Sequence, residues 1–506
     1  MLSLDKEQFL LSASSGANYI PLAKSWPADL ETPLTTWLKV GNDSPPGVLL
    51  ESVEGGETIG RWSVVASDPL WRATVSGNEL TRFWRNGKQE KFYGNPIEIL
   101  RTMLKPYKSV SLSGLPQLGQ LFGMWGYELI QWIEPSVPTC EFSNQDLPDG
   151  IWMFMDKILI FDQVKRLITA VAYGDLNDGV SPEQAYEIAC EQINQLQDLM
   201  ASPLKPVKSL KWNENAKRSL DMTYKTSKTD FENSVESAKE FIKKGDVFQL
   251  VISQKLESTV PQKPFELYRS LRMVNPSPFM AFFDFGEWQL IGSSPEVMVK
   301  AQQTEKGIQA SLRPIAGTRP RGKNDMEDAT LEKDLLQDPK ERAEHVMLVD
   351  LGRNDLGRVC NPGSVFVKEL MVIEKYSHVM HIVSEVEGTL KKGNDVWDLL
   401  IASFPAGTVS GAPKIRAMQL INQLEKQRRG PYSGIYGSMD LNGALNTAIT
   451  IRTMVVRRKN NNDFTVQVQA GAGVVADSIP SNEYQETLNK AKGMFTALAC
   501  LEAPDS

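Results

Sequence analysis

Between about Thr32 and Val171 the apolar residues come in short runs broken by turn residues, among them Gly47-Val-Leu-Leu-Glu51, Arg61-Trp-Ser-Val-Val65 and Lys157-Ile-Leu-Ile-Phe161. Short β-type runs punctuated by turns predict strands, so the first half is expected to be rich in sheet. The period changes at Pro182, and the residues up to Met200 read as a helix. Ser202-Pro-Leu-Lys-Pro206 and the polar stretch up to Thr229 read as a linker. The chain is therefore divided into a sheet-rich region at 1–205, a linker at 206–229 and a second unit at 230–506. In the second unit Asp230 to Lys244 has helical spacing and Val247 to Gln254 reads as a strand. Helices and strands then mix without regular βαβ alternation, which predicts an α+β fold rather than a doubly wound sheet. Lys459-Asn-Asn-Asn-Asp463 has the polarity of an exposed hairpin loop, and no repeat of solenoid period is present.

With 506 residues, 41% of them hydrophobic and 23% charged, the chain can bury a large core, and its composition is that of an ordered globular protein. A formal charge of −7 gives no general attraction for nucleic acid or an anionic membrane. An anionic substrate would have to be met by Arg, Lys or a metal concentrated in its pocket. Cys140, Cys190, Cys360 and Cys500 lie far apart, with neither zinc-ligand nor disulfide spacing, as suits a reducing cytosol. Met1 to Leu11 lacks a leader pattern, and no run nears the ~18 apolar residues of a membrane span. A soluble, cytoplasmic protein is expected.

Candidate chemistry concentrates in the second unit. Asp338-Pro-Lys-Glu341 opens a helix, with Asp338 as N-cap, Pro339 at its first position and Glu341 where a capping box would use it. One turn on, Glu344 shares a face with Glu341 and Leu348 among apolar neighbours, and a carboxylate buried there needs a metal or cationic partner. A second helix, Ser481 to Lys490, places Glu483, Glu486 and Lys490 on one face. Glu486 and Lys490 make an ordinary i, i+4 ion pair on one reading. On the other, two glutamate pairs of equal spacing on separate helices converge on one hard cation such as Mg²⁺. Upstream, Gln469-Ala-Gly-Ala-Gly-Val-Val-Ala-Asp477 contains a formal G-x-G-x-x-A, but Pro480 intervenes and no convincing βαβ unit follows, so a nicotinamide site is not indicated. The glycines instead suit backbone N–H groups approaching a carboxylate.

Phe404-Pro-Ala-Gly-Thr-Val-Ser-Gly-Ala-Pro-Lys414 lacks P-loop spacing, with Pro413 at or near the start of a helix. It reads equally as a structural helix entrance and as an anion or hydroxyl site built on Thr408 and backbone N–H groups. Of three histidines, His345 lies in the Glu344 helix, while His378 and His381 fall on opposite faces of a strand-like run, one structural and one open to acid–base work.

Gly292-Ser-Ser-Pro-Glu296, Arg313-Pro-Ile-Ala-Gly-Thr-Arg-Pro-Arg321, Glu344 to Asp355, Phe404 to Lys414 and Ala448-Ile-Thr-Ile-Arg-Thr453, in this order, resemble the chorismate-utilising enzyme family. The match runs from about Gly245 to Met494, with a weaker one from about Gly47. The resemblance implies a chorismate-binding α+β fold, with β-sheets in a two-layer arrangement flanked by helices. It implies Mg²⁺ as cofactor, held by Glu344 and Glu486 with Glu341 and Glu483 in support. Tyr436, Arg452, Lys490 and the backbone of Gly471, Ala472 and Gly473 match positions that hold the two carboxylates of chorismate. Gly292, Ala316 and Thr318 fall on the substrate-binding stretches, and Glu296 matches the general acid that protonates the departing C4 hydroxyl, with Thr408 and His381 beside it.

Three positions choose among family members. Gln249 stands where isochorismate-forming and salicylate-forming enzymes carry a lysine base that activates water; an amide cannot do so, and ammonia needs no such base. Ala316 stands where aminodeoxychorismate-forming enzymes carry a nucleophilic lysine. Leu49-Leu50-Glu51-Ser52 with Asn275-Pro276-Ser277-Pro278-Phe279-Met280 resembles a tryptophan feedback site, with Phe279 where Tyr is usual. The implied reaction is amination at C2, loss of pyruvate and aromatisation to anthranilate, leading to L-tryptophan and inhibited by it. No cysteine has the sharp Gly-flanked turn of a glutaminase, so a separate glutamine amidotransferase subunit is expected to supply ammonia, in a heterotetramer. The rivals are an aminodeoxychorismate-forming enzyme without the usual lysine and a silent tryptophan-binding sensor.

Overall fold

A computed structural model describes residues 5–41, 44–52, 60–112, 114–117, 119–138, 147–207, 209–215, 219–376 and 379–502. Two twelve-stranded antiparallel sheets organise them. The first passes from Tyr19–Pro27 through Leu167–Asp175, Lys157–Asp162 and Trp62–Ser67 to Gly47–Glu51. There it crosses to strands from the second half of the chain: Phe279–Asp284, Trp288–Ser294, Thr453–Arg458, Phe464–Val474 and Gln249–Val260. At this seam Glu51 lies opposite Met280. The second sheet has its own seam, where Ile435–Met439 pairs with Leu121–Trp125. The segment at 206–229 thus separates two stretches of sequence, while both sheets run continuously across them.

Alternation along the strands explains the layers. Val48, Val64 and Phe283 enter the core between the two sheets, together with Trp71, Trp125 and Ile435. Their neighbours Leu49, Val65 and Phe282 point to the other face, against helices Pro182–Ala201, Pro264–Val274 and Pro480–Ala499. A sheet buried on both faces has strands that read as continuous apolar runs, as at Gly47–Glu51. Stacked Trp71 and Phe154, with ring centroids 4.9 Å apart, fill the inter-sheet core. The linker-flanking helices stand at Pro182–Ala201 and Lys228–Lys243, and the loop at Lys459–Asp463 closes a hairpin between Thr453–Arg458 and Phe464–Val474. Among the described residues no helix is long and apolar enough to cross a membrane.

Candidate active site

Two long helices begin beside one another. The helix Pro339–Val359 starts where Asp338 Oδ1 accepts the backbone N–H of Lys340 at 2.9 Å and of Glu341 at 3.2 Å. Glu341 makes no return bond of a capping box; its carboxylate lies 3.5 Å from Arg319 Nη1. The start of helix Pro480–Ala499 is near enough for Lys340 to act on Glu483. Desolvation raises both Glu341 and Glu483, and Glu344 adds to the first as Glu486 adds to the second. One oxygen of Glu483, Oε2, is buried without a hydrogen-bond partner. Glu344 Oε1 accepts from Gln249 Nε2 at 3.3 Å.

Glu486 takes the i, i+4 ion pair, with Lys490 Nζ at 2.6 Å, so its carboxylate faces along its own helix. Among the described residues no three His, Cys, Asp or Glu side chains stand together so as to hold a metal ion. The four glutamates form one wall as two pairs and are not drawn to a common point.

The floor of the site is strand Phe464–Val474, paired with Gln249–Val260 so that Gly471 faces Ser253 and Gly473 faces Val251. A Cβ at Gly471 would sit 2.5 Å from the Tyr432 hydroxyl, and one at Gly473 would sit 2.5 Å from Gln249 Nε2. Close approach requires glycine at Gly471, where Val251 and the Ile252 carbonyl crowd the same space, whereas at Gly473 only the flexible end of Gln249 would have to move. Lys490 Nζ donates to Gly471 O at 3.0 Å. Arg452, in a left-handed turn at φ 51°, donates from Nη1 to the carbonyl of Lys490. Burial lowers its pKa, and Tyr432 and Glu486 oppose the change.

Glu296 occupies the turn between strands Trp288–Ser294 and Val297–Thr304. Ser294 Oγ braces the turn, accepting from Glu296 N and donating to Glu296 O, both at 3.3 Å. Desolvation pushes the Glu296 carboxyl up to about 8, against the opposing effects of Thr408 and, more distantly, Lys490. The Thr408 hydroxyl is buried beside it without a well-aligned hydrogen bond. Its turn, Gly407–Val409, is tied down where Arg429 Nη1 donates to Val409 O at 2.7 Å.

His381 Nδ1 lies 3.0 Å from Gly317 O and 3.1 Å from Thr318 Oγ1. A carbonyl only accepts, so the hydrogen-bond network assigns the proton of the neutral ring to Nδ1 and leaves Nε2 as an acceptor. Burial lowers its pKa. His345 is buried in its helix, with Nε2 2.6 Å from Ser384 Oγ, Nδ1 without a hydrogen-bond partner, and its pKa driven down to about 4 by desolvation. His378 lies outside the described residues. Ala316 is buried opposite Ile382, and Thr318 faces His381 across the same strand pair.

Tyr436 is not brought to this group. Its hydroxyl donates to Phe279 O at 2.7 Å and accepts from Ser294 N at 3.1 Å. The phenol lies over Gly292, where a Cβ would sit 2.7 Å from its oxygen. Strand alternation in Ile435–Met439 turns it away from the glycine floor, and the tyrosine that reaches Gly471 is Tyr432, which the sequence reading missed. Both stand within one aromatic and glycine-rich run, and only the position of the strand start separates their roles.

Tyr436 instead lines a second cavity of about 270 Å³, with Leu50, Glu51, Ser52, Pro278, Phe279 and Met280 around it. Glu51 Oε2 accepts from the Tyr268 hydroxyl at 2.5 Å and from Arg272 Nε at 3.1 Å. Asn275 and Pro276 do not line the cavity; the Asn275 side chain donates to Ser293 Oγ at 2.9 Å. Lys300, a further lining residue without a sequence signal, holds its ammonium 5.2 Å from the centre of the Phe279 ring.

Comparison with known proteins identifies the family. The family described as chorismate binding enzyme matches residues 54–496. The anthranilate synthase component 1 of Synechocystis sp. (strain ATCC 27184 / PCC 6803 / Kazusa) is 54% identical over 508 aligned residues, which cover 99% of this chain and 100% of the relative. That of Acetivibrio thermocellus is 42% identical and covers 95% of each chain. The crystal structure of anthranilate synthase component I from Streptococcus pneumoniae TIGR4 superposes with a TM-score of 0.73 at 37% identity, covering 86% of this chain and 92% of the other. The menaquinone-specific isochorismate synthase of Escherichia coli shares the fold at 19% identity, with a TM-score of 0.69 and coverage of 97% of this chain and 98% of that one. With a family match over residues 54–496 and a relative 54% identical across nearly the whole chain, the chain belongs to the chorismate-binding enzyme family, in the anthranilate synthase component 1 branch.

Proposed function

We propose that the chain converts chorismate and ammonia into anthranilate and pyruvate, the committed step toward L-tryptophan. The observation that carries the reading is Glu296, a desolvated carboxyl whose pKa of about 8 keeps it protonated at neutral pH, within electrostatic reach of the Lys490 that bonds the Gly471 carbonyl. The cations and the Tyr432 hydroxyl bind the carboxylates of chorismate. Glu296 donates its proton as the C4–O bond breaks, so that the hydroxyl leaves as water, while ammonia forms a bond to C2. The C2 proton and the enolpyruvyl side chain then depart, the latter as pyruvate, leaving the aromatic ring. His381 Nε2 is the acceptor beside this chemistry. Gln249 is spent on Glu344 and Ala316 offers no nucleophile, which supports direct amination by ammonia.

Glu344 and Glu486, backed by Glu341 and Glu483, are the residues that would hold Mg²⁺. Two repelling glutamate pairs and an unpartnered buried oxygen on Glu483 fit a cation there, once Glu486 gives up Lys490. Bound Mg²⁺ supplies positive charge to a substrate carboxylate.

Ammonia is proposed to come from a separate glutamine amidotransferase subunit, in a heterotetramer. The name component 1 carried by the relatives fits a second component. Buried Cys360, pushed up to about 11, and buried Cys500, also raised, are poor nucleophiles for glutamine. The cavity beside Glu51 is proposed to take L-tryptophan as inhibitor, with residues 1–205 contributing its Leu50 to Ser52 wall and 230–506 the catalytic residues. Purified chain incubated with chorismate, MgCl₂ and ammonium is expected to give anthranilate, identified by fluorescence and mass and abolished by EDTA. Accumulation of aminodeoxychorismate would overturn the assignment.

A further inference from the structure

The second cavity and Glu296 are joined by a continuous hydrogen-bonded path. The Phe279 carbonyl, on the cavity wall, accepts from the Tyr436 hydroxyl at 2.7 Å. That hydroxyl accepts from Ser294 N at 3.1 Å, and Ser294 Oγ bonds both backbone polar groups of Glu296 at 3.3 Å. A parallel tie joins the same two segments, Asn275 Nδ2 to Ser293 Oγ at 2.9 Å, while Ser293 N donates to the carbonyl of Arg452 at 3.1 Å. The Tyr436 ring is 2% exposed and fits against Gly292, so its phenol has little freedom to move independently of either side.

We propose that Tyr436 is a positioning residue that sets the Glu296 turn according to what fills the second cavity. The proposal rests on the reading of that cavity as the tryptophan site. Tyr436 lines the cavity itself, so an indole lodged there presses on the same ring whose hydroxyl holds Ser294. A displacement of the hydroxyl changes a bond to the residue that braces the acid, and a packed core passes such a shift on rather than absorbing it. In this way a ligand that never touches chorismate alters the placement of the acid and, through Ser293, of Arg452.

Tyr436→Phe keeps the ring and removes both hydrogen bonds. Tryptophan binding by calorimetry and inhibition of anthranilate formation with ammonium are measured on the full chain. In the wild type, tryptophan is expected to raise the apparent KM for chorismate by a factor within the usual allosteric range, about 5- to 150-fold. In Tyr436→Phe, tryptophan still binds, within about threefold, but the KM ratio with and without it falls to within about twofold of one. Ser294→Ala, which removes the brace from the other side, is expected to reproduce the effect, and the double variant to add nothing. Full inhibition persisting in both single variants would overturn the relay while leaving the tryptophan site intact. A wild-type chain that binds no tryptophan would overturn the site reading and the relay with it.

Discussion

Two glutamates at the ends of strands of the first sheet, Glu51 closing Gly47–Glu51 and Glu296 just past Trp288–Ser294, have opposite environments. Glu51 is buried with partners, the Tyr268 hydroxyl and the Arg272 guanidinium, and faces a cavity of about 270 Å³. Glu296 is desolvated and makes no ion pair among the described residues; the Thr408 hydroxyl and the Lys490 ammonium oppose its rise to about 8. The first arrangement suits binding, because its two partners hold the carboxylate in one geometry. The second suits proton donation, because the carboxyl stays neutral at the pH where the reaction runs. Burial alone therefore does not separate these two carboxyls; the ion pair on Glu51 does.

The contrast is sharpened most by Arg452→Gln. On the proposed role of Arg452 at a substrate carboxylate, removing this desolvated charge is expected to cost about 2–5 kcal/mol, which is about 30- to 5000-fold in kcat/KM for chorismate, with tryptophan binding unaffected. Tyr432→Phe is expected to cost about 10- to 100-fold, as a hydrogen bond to a charged group does, measured in the same assay. A smaller effect at Tyr432 than at Tyr436 would exchange their roles.

Next in size is the pH dependence. If Glu296 is the proposed acid, kcat should hold at neutral pH and fall as pH rises through about 8. Stability should move with it. A carboxyl raised from 4.5 to about 8 holds its proton more tightly when folded, so its contribution is full below about 4.5 and lost as pH climbs toward 8. Glu296→Gln lacks that slope, which urea denaturation at several pH values would detect. The smallest effect is expected from Phe279→Tyr: a hydroxyl added to the cavity wall beside Lys300 changes tryptophan affinity by several-fold, about 1 kcal/mol, and leaves kcat/KM for chorismate in place.

Much of this was legible in the sequence. The apolar runs at Gly47–Glu51 and Lys157–Asp162 are strands, and the Asp338 cap starts the Glu344 helix. The spacing of Glu341 and Glu344, and of Glu483 and Glu486, does put each pair at the start of a helix. Only the family resemblance brought Leu49–Ser52 beside Asn275–Met280; the strand pairing and register of Gly47–Glu51 with Phe279–Asp284 left no local period to read, because strand order joins residues far apart in the chain. The roles of Tyr432 and Tyr436 were also hidden. One residue sits in a turn and the other in a strand, and side-chain direction follows from a boundary that local pattern places only to within a few residues. Lys300 reads as one more charged residue along a strand, and only the fold brings it over Phe279.

The most direct test pairs the two glutamates. Glu296→Gln and Glu51→Gln are assayed for anthranilate formation with chorismate, Mg²⁺ and ammonium, and for tryptophan binding by calorimetry. Glu296→Gln should lose about 10²- to 10⁴-fold in kcat and still bind tryptophan, whereas Glu51→Gln should turn over chorismate and lose tryptophan affinity. Loss of turnover in Glu51→Gln with retention in Glu296→Gln would place the chemistry in the other cavity and contradict the assignment of the acid.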